Sequence, residues 1–131
     1  MKTQLVIDKN TQKIICLYVT NGKTHDFKAF KESKLPIKKE NTVVADSGYQ
    51  GAQKIHKNTE LPKKNTKNHK LSKEDKRVNR LLAVKRVFNE HVNGVIKIFK
   101  IIAEKYRNRR RRFGLRFNLI AGIYNFELNC A

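Results

Sequence analysis

Residues 43–51 read VVADSGYQG, and this stretch decides how the surrounding chain folds. The short apolar run at residues 42–45 predicts a buried strand in a helix-covered sheet, and the glycines that follow end it in a turn. Asp46 therefore stands where a strand ends. Ligands of open α/β sheets gather at the carboxyl ends of strands, which makes Asp46 a candidate metal ligand. Its position alone leaves a second interpretation open, in which Asp46 caps a helix beginning near Gln50 or stabilises the turn.

A second informative stretch, RVFNEHVNGVIK, occupies residues 86–97. At about 100° per residue, Arg86, Glu90 and Lys97 share one stripe of a helix. Ser72, with Asp75 three residues later, resembles a capping box that opens this helix, and its pattern predicts a helix to about Ile102. A solvated, salt-bridged face is the alternative for the charged stripe. The opposite, apolar stripe consists of Leu81, Val84, Phe88, Val92, Val95, Phe99 and Ile102.

The overall charge of the chain restricts its class of partner. Its 131 residues carry 30 Lys and Arg against 11 Asp and Glu, a formal charge of +19. This imbalance favours a nucleic-acid partner. The longest apolar run, residues 14–19, is far shorter than the ~20 residues that span a bilayer. No export signal is visible, and Cys16 and Cys130 form no metal-binding spacing. We therefore predict a reduced, cytoplasmic protein.

The remaining pattern predicts one mixed α/β domain over residues 1–131. A basic loop is predicted at about residues 63–73. Thr24 is the predicted N-cap of a short helix that reaches about Ser33 and carries Asp26 in its first turn. The other predicted elements are an antiparallel hairpin of residues 3–8 and 13–20, a short helix at 50–57, a short strand at 61–64 and a final helix at about 113–128.

A run of arginines precedes the final helix. Residues 106–112 read YRNRRRR. Such a run is usually a solvated face and occasionally a targeting signal. With the high positive charge of the whole chain, contact with phosphate groups is the favoured interpretation.

Taken together, these motifs resemble the C-terminal part of a bacterial insertion-sequence transposase of the DDE type, close to the IS-five group. The similarity is carried in family order by KTQLVID, GKTHDFKAFKES, ADSGYQG and AEKYRNRRRRFGLRFNLIAGIYNFEL. The resemblance implies a ribonuclease-H-like fold, which is a mixed sheet covered by helices. In that fold the first catalytic Asp lies on a central strand before the hairpin, so we expect a fold truncated at the N-terminus, with the first strand missing.

The resemblance also implies roles for individual residues. Asp46 matches the second catalytic acid and Glu90 the third, and together they imply bound Mg²⁺ or Mn²⁺, two ions in the intact site. Carboxylate oxygens suit these hard cations. Asp26, in THDF, matches a recurring family motif, but its place in a helical first turn also fits capping. Asp8, at the hairpin turn, is a poor substitute for the first acid. The cations expected to contact DNA are Arg86, Lys97, Arg107, Arg109, Arg110, Arg111 and Arg112.

One departure from the family pattern concerns the helix that carries Glu90. Ala83 occupies the position three residues before Arg86 where the family often has Tyr. Any contribution of that Tyr to DNA positioning is therefore absent from this chain.

The intact family cuts DNA at transposon ends and joins the freed 3′ end to target DNA. The implied partners are double-stranded DNA, both transposon ends and target, and either a homo-oligomer or the N-terminal part of the same transposase. The implied location is the bacterial nucleoid. Without the first acid we expect this chain to be inactive alone. The alternative is a non-catalytic, basic DNA-binding remnant of a decayed element. A ribosome-associated RNA-binding protein fits the charge but not the paired motifs.

Overall fold

A computed structural model describes residues 1–104 and 110–130. The chain divides into two compact units. The hairpin unit comprises Met1–Gly22 and Phe88–Ala131, and the Asp46 unit comprises Lys23–Val87. None of the helices in the described part of the chain is long and apolar enough to cross a bilayer.

The hairpin unit begins with the predicted antiparallel pair. Strand β1 (Lys2–Ile7) pairs with β2 (Ile14–Thr20), with one irregularity in register between Val6 and Ile7. The Asp8 carboxylate accepts hydrogen bonds from the Asn10 N–H and the Thr11 hydroxyl. These bonds lower the pKa of Asp8, the Thr11 contact most strongly. Asp8 is therefore a structural residue of the hairpin turn, as its position predicted.

The core of the hairpin unit forms between β2 and the C-terminal helix, numbered α4 below. This helix spans Phe113–Cys130, which confirms the predicted final helix. The side-chain amide of Asn125 bonds both the N–H and the C=O of Ile14, at 2.8 Å each. It thereby satisfies backbone groups at the start of β2. The core cluster consists of the buried residues Ile14, Val92, Ile96, Phe113, Phe117, Ile120, Ala121 and Tyr124.

In the Asp46 unit, helix α1 spans Asp26–Ser33, and strands β3 (Val43–Val44) and β4 (Thr59–Glu60) form a parallel pair. Three details of the prediction are wrong. The N-cap is His25 rather than Thr24, because the His25 Nδ1 accepts from the Phe27 N–H. The strand predicted at 61–64 lies earlier, since Pro62 has no N–H for the ladder. Residues 50–57 contain only a 3₁₀ turn, at Ala52–Lys54.

The mixed α/β class is confirmed, but the strands do not form one sheet. In the described residues β1–β2 and β3–β4 are separate two-stranded sheets. The ribonuclease-H-like fold and its truncation remain predictions.

The long helix is shorter than its periodicity predicts. Helix α2 spans Lys73–Ile96, and a separate turn of helix, α3, covers Lys100–Ala103. Phe99 adopts extended backbone angles between them. In a continuous helix Ile101 would lie beside the charged stripe, away from Phe99 and Ile102. The break allows Ile101 to pack against the hairpin-unit core together with these two residues.

The predicted apolar stripe of α2 is buried only towards its C-terminal end. Val92 is fully buried, but Leu81 and Val84 are exposed. In the first turns the buried apolar residue is Leu82 instead. The reason is local: Asp75 and Asn79 bond to Lys63, and Leu82 lies on the same helical face as these two polar residues.

Candidate functional site

Asp46 follows the carboxyl end of strand β3, as predicted. The Ala45 N–H donates to the Glu60 C=O at 3.1 Å, which extends the parallel ladder by one bond beyond β3. Asp46 is the next residue, and its side chain is 61% exposed. The carboxylate is therefore at the strand end and accessible, which a metal ligand requires.

Among residues 1–104 and 110–130, two groups hold the Asp46 carboxylate. Its Oδ1 accepts from the Ser47 N–H at 2.5 Å and lies 3.0 Å from Arg86 Nη1. The first bond caps a 3₁₀ turn over Ser47–Tyr49, so Asp46 does stabilise the turn, as the second interpretation proposed. Both contacts are made by Oδ1. The turn contact is therefore compatible with a cation bound through Oδ2.

Arg86 reaches Asp46 from helix α2. Its side chain is only 26% exposed, and its buried Nε has no hydrogen-bond partner in the described residues. On the preceding residue, Lys85 Nζ lies 2.7 Å from Glu60 Oε2. A partly exposed ion pair contributes at most about 1 kcal/mol. The two pairs therefore act mainly by fixing α2 against the ends of β3 and β4.

The THDF segment packs directly on the Asp46 turn. A Cβ at Gly48 would overlap Asp26 Oδ2, so the Asp26 carboxyl lies against the backbone of the turn. Gly51 has φ +100° and lies under the Phe27 ring. Two separated sequence motifs therefore form one cluster. Each motif is recognisable in the sequence, but no local pattern predicts that the two are in contact.

Tyr49 reports the electrostatics of this cluster. Burial, followed by the negative charges of Asp26 and Asp46, raises the pKa of Tyr49 to about 12. Its ring meets Phe30 edge-on, with 6.3 Å between ring centroids. Tyr49 is thus a partly buried, neutral side chain, and the Asp26 and Asp46 carboxylates both act on its hydroxyl.

The contact between Gly48 and Asp26 gives a stability prediction. We expect Gly48→Ala to lower the free energy of unfolding by about 1–3 kcal/mol, because the added methyl group displaces the Asp26 carboxyl. Gly94→Ala is the matched control. Gly94 lies in α2 with no atom near its missing Cβ, so its replacement should stabilise by about 1 kcal/mol. Urea unfolding of the full chain measures the stability of both variants. If Gly48→Ala leaves the unfolding midpoint unchanged, the close contact between Gly48 and Asp26 is ruled out.

The other predicted site residues lie in the hairpin unit or outside the described residues. Glu90 is exposed on α2, and Lys97 is exposed just beyond its end. Arg110 begins a 3₁₀ turn in which Arg111 and Arg112 are exposed. Arg107 and Arg109 lie outside the described residues. Within residues 1–104 and 110–130, no three His, Cys, Asp or Glu side chains are grouped closely enough to hold a metal ion.

Comparison with known proteins identifies the family. The profile of the DDE superfamily endonuclease family matches residues 1–125. The chain belongs to this family. It is also 55% identical over 128 residues to a "Probable transposase for insertion sequence element IS702" of Microchaete diplosiphon. The resemblance to DDE transposases of insertion sequences is thus confirmed.

The alignment with the Microchaete diplosiphon relative covers different fractions of the two proteins. The aligned region covers 98% of this chain and 46% of the relative, so the chain spans about half the length of the curated relative it matches. No solved structure is significantly similar to it.

DDE superfamily endonucleases are in general dependent on divalent metals, and the donor chemistry of this chain fits such an ion in part. The Asp46 carboxylate is a hard oxygen donor, accessible, and held at a strand end. Glu90 offers a second exposed carboxylate. Mg²⁺ and Mn²⁺ prefer oxygen ligands of this kind.

Proposed function

We propose that this chain supplies two metal-binding carboxylates, Asp46 and Glu90, to a DDE transposase that cuts DNA at transposon ends and joins the 3′ end to target DNA. The observation that carries the proposal is the state of Asp46. It lies at a strand end, it is accessible, and Arg86 and the Ser47 N–H hold it by one oxygen.

The chain's own residues prepare the proposed metal site. Asp46 and Glu90 would hold Mg²⁺ or Mn²⁺, with two ions in the complete site. When bound, such ions activate water or a 3′-hydroxyl and stabilise the leaving oxygen. Arg86 restricts the rotation of the Asp46 carboxylate through its contact with Oδ1. Asp26, packed on Gly48, supports the backbone of the turn that carries Asp46.

Double-stranded DNA is the proposed partner of the basic residues. Arg86, Lys97, Arg107 and Arg109–Arg112 are the proposed phosphate contacts, supported by the formal charge of +19. Contacts of this kind fix orientation without reading sequence. Arg86 would have to serve both DNA and Asp46, whereas Lys97, Arg111 and Arg112 are exposed.

A further proposed partner is the portion of the transposase that this chain does not cover. One face of helix α4 carries Leu115, Leu119 and Phe126, which are 73%, 67% and 68% exposed, and the opposite face is already buried in the core. A helix that is apolar on all sides is normally buried on all sides. The relative is about twice as long as this chain, so its remaining portion is the proposed occupant of this face.

It follows that the isolated chain should not cleave DNA. The proposal assigns two catalytic acids to this chain, whereas the family uses three. Catalysis by two metal ions needs enough ligands to hold both ions in place. The test is nicking of a transposon-end duplex by the completed protein, with Asp46 and Glu90 replaced in turn.

A further inference from the structure

The lysine-rich segment before helix α2 is a closed loop. At its start, the backbone N–H and C=O of Lys63 both bond the Asn79 side chain at 2.9 Å. At its end, Ser72 and Asp75 form the predicted capping box, with bonds of 3.1 and 3.2 Å. Asp75 Oδ1 also lies 2.6 Å from Lys63 Nζ. The two ends of the loop are thus tied to the same turns of α2, as in compact surface loops that carry function.

Asp75 is the closing residue of this loop. The Lys63 ammonium group and the Ser72 N–H hold the pKa of Asp75 below its usual value. Within the loop, Thr66 and His69 pair across a tight turn, which places Lys67 at the tip. The loop predicted from composition is therefore present, with a defined shape at both ends and at its tip.

The charge on this segment is not compensated. Residues 63–80 contain eight Lys and Arg against two acids, and one of those acids, Asp75, is paired with Lys63. The other cations are all exposed, and none forms an ion pair with another described residue. These seven residues are Lys64, Lys67, Lys70, Lys73, Lys76, Arg77 and Arg80.

On the helix, the cations occupy one side. Lys73, Lys76, Arg77 and Arg80 recur every three or four residues and so share a stripe. Asp75, Asn79 and Leu82, which face the body of the Asp46 unit, lie on the opposite side. Folding therefore leaves this row of charge directed at solvent beside the closed loop.

We propose that residues 64–80 form a second DNA-phosphate contact surface of the transposase, separate from the arginine run, with the closed loop and the first two turns of α2 as its parts. This inference rests on the proposed DNA-binding function. Exposed cations held on a rigid frame lose less conformational entropy on binding than cations on a free tail. Lysines act as point charges, so this surface holds the duplex without sequence preference.

The test measures duplex binding by the full chain as a function of salt, by fluorescence anisotropy. Lys64, Lys67, Lys70 and Lys73 are replaced together by Gln. The matched control replaces Lys31, Lys38, Lys39 and Lys57, four exposed lysines of the same unit. Each lost phosphate contact removes about 0.9 from the log–log salt slope. We expect the log–log slope of the loop variant to fall by about 3–4 and that of the control by less than about 1. Equal decreases in slope for the loop variant and the control would overturn the proposal.

Two further measurements separate this inference from the proposed function. Replacing Arg109–Arg112 by Gln should also flatten the slope. A slope that falls for these arginines but not for the loop lysines overturns the loop surface alone, and no binding by the unaltered chain overturns both. Acetylation of the unaltered chain needs no variant: DNA should protect Lys64, Lys67, Lys70 and Lys73 but not the four control lysines. Equal protection by polyglutamate would indicate an acidic protein partner instead and overturn the proposal.

Discussion

Joining this chain to the portion of the Microchaete diplosiphon transposase that it does not cover is expected to yield a protein that nicks a transposon-end duplex in Mg²⁺ or Mn²⁺. Asp46→Ala or Glu90→Ala should each reduce the nicking rate by about 10³-fold or more, because catalytic groups that act as a unit fail together. The double variant should be little worse than either single one. The relative is 55% identical over the shared region, so the junction keeps most native contacts.

The controls for this experiment are the isolated chain and an acidic residue away from the site. The isolated chain should give no product. Glu127→Ala, at an exposed position of α4, should leave the rate of the joined protein within a factor of about two, as surface substitutions usually do. The contradicting result is an isolated chain that nicks DNA and loses this activity when Asp46 or Glu90 is replaced. That result would show that another acid within these 131 residues completes the site.

The second large effect concerns the exposed face of α4. Replacing Leu115, Leu119 and Phe126 together by Gln should increase the solubility of the isolated chain and prevent its assembly with the separately expressed remainder of the transposase. Burial of each such side chain is worth about 1.5–3 kcal/mol. Loss of all three should therefore weaken assembly by at least about 10³-fold. Light scattering and co-purification measure the two effects.

Ile98→Gln is the control for the α4 experiment. Ile98 is 72% exposed and lies outside α4, so assembly should persist when it is replaced. Assembly that survives the triple variant would show that the remainder of the transposase binds elsewhere. Self-association of the isolated chain that the triple variant abolishes, with assembly intact, would instead assign this face to a homo-oligomer.

Local patterns predicted those parts of the fold that depend on neighbouring residues. The β-rich runs at residues 3–8 and 13–20 predicted the hairpin, and an apolar run followed by glycine predicted Asp46 at a strand end. Ser72 with Asp75 predicted the start of α2. Each of these depends on side chains within a few positions of one another.

The features that the sequence did not predict depend on contacts between distant residues. After the end of α2 at Ile96, Ile101 also packs on the core, although the apolar periodicity continues through Phe99 and Ile102. Which stripe of α2 is buried near its start depends on Lys63, which bonds Asp75 and Asn79. Helical periodicity identifies faces but does not specify what lies against them.

In the candidate site, too, the sequence predicted local features but not the contacts between distant residues. The sequence identified Asp46 and Arg86 separately, but it predicted DNA rather than Asp46 as the neighbour of Arg86. Their ion pair joins residues 40 positions apart in sequence. Likewise, the contact of Asp26 with Gly48 joins two motifs that are 22 positions apart in sequence.

The central claim, that Asp46 and Glu90 bind the same metal centre, is tested most directly by iron-mediated cleavage of the joined protein. Fe²⁺ replaces Mg²⁺, and ascorbate with peroxide generates radicals that cut the backbone close to the bound ion. We predict cuts near residues 45–48 and near residues 88–92 in the same sample, both lost in Asp46→Asn and both suppressed by excess Mg²⁺. Cuts near only one of these segments, or cuts near Glu90 that persist in Asp46→Asn, would contradict a shared metal site.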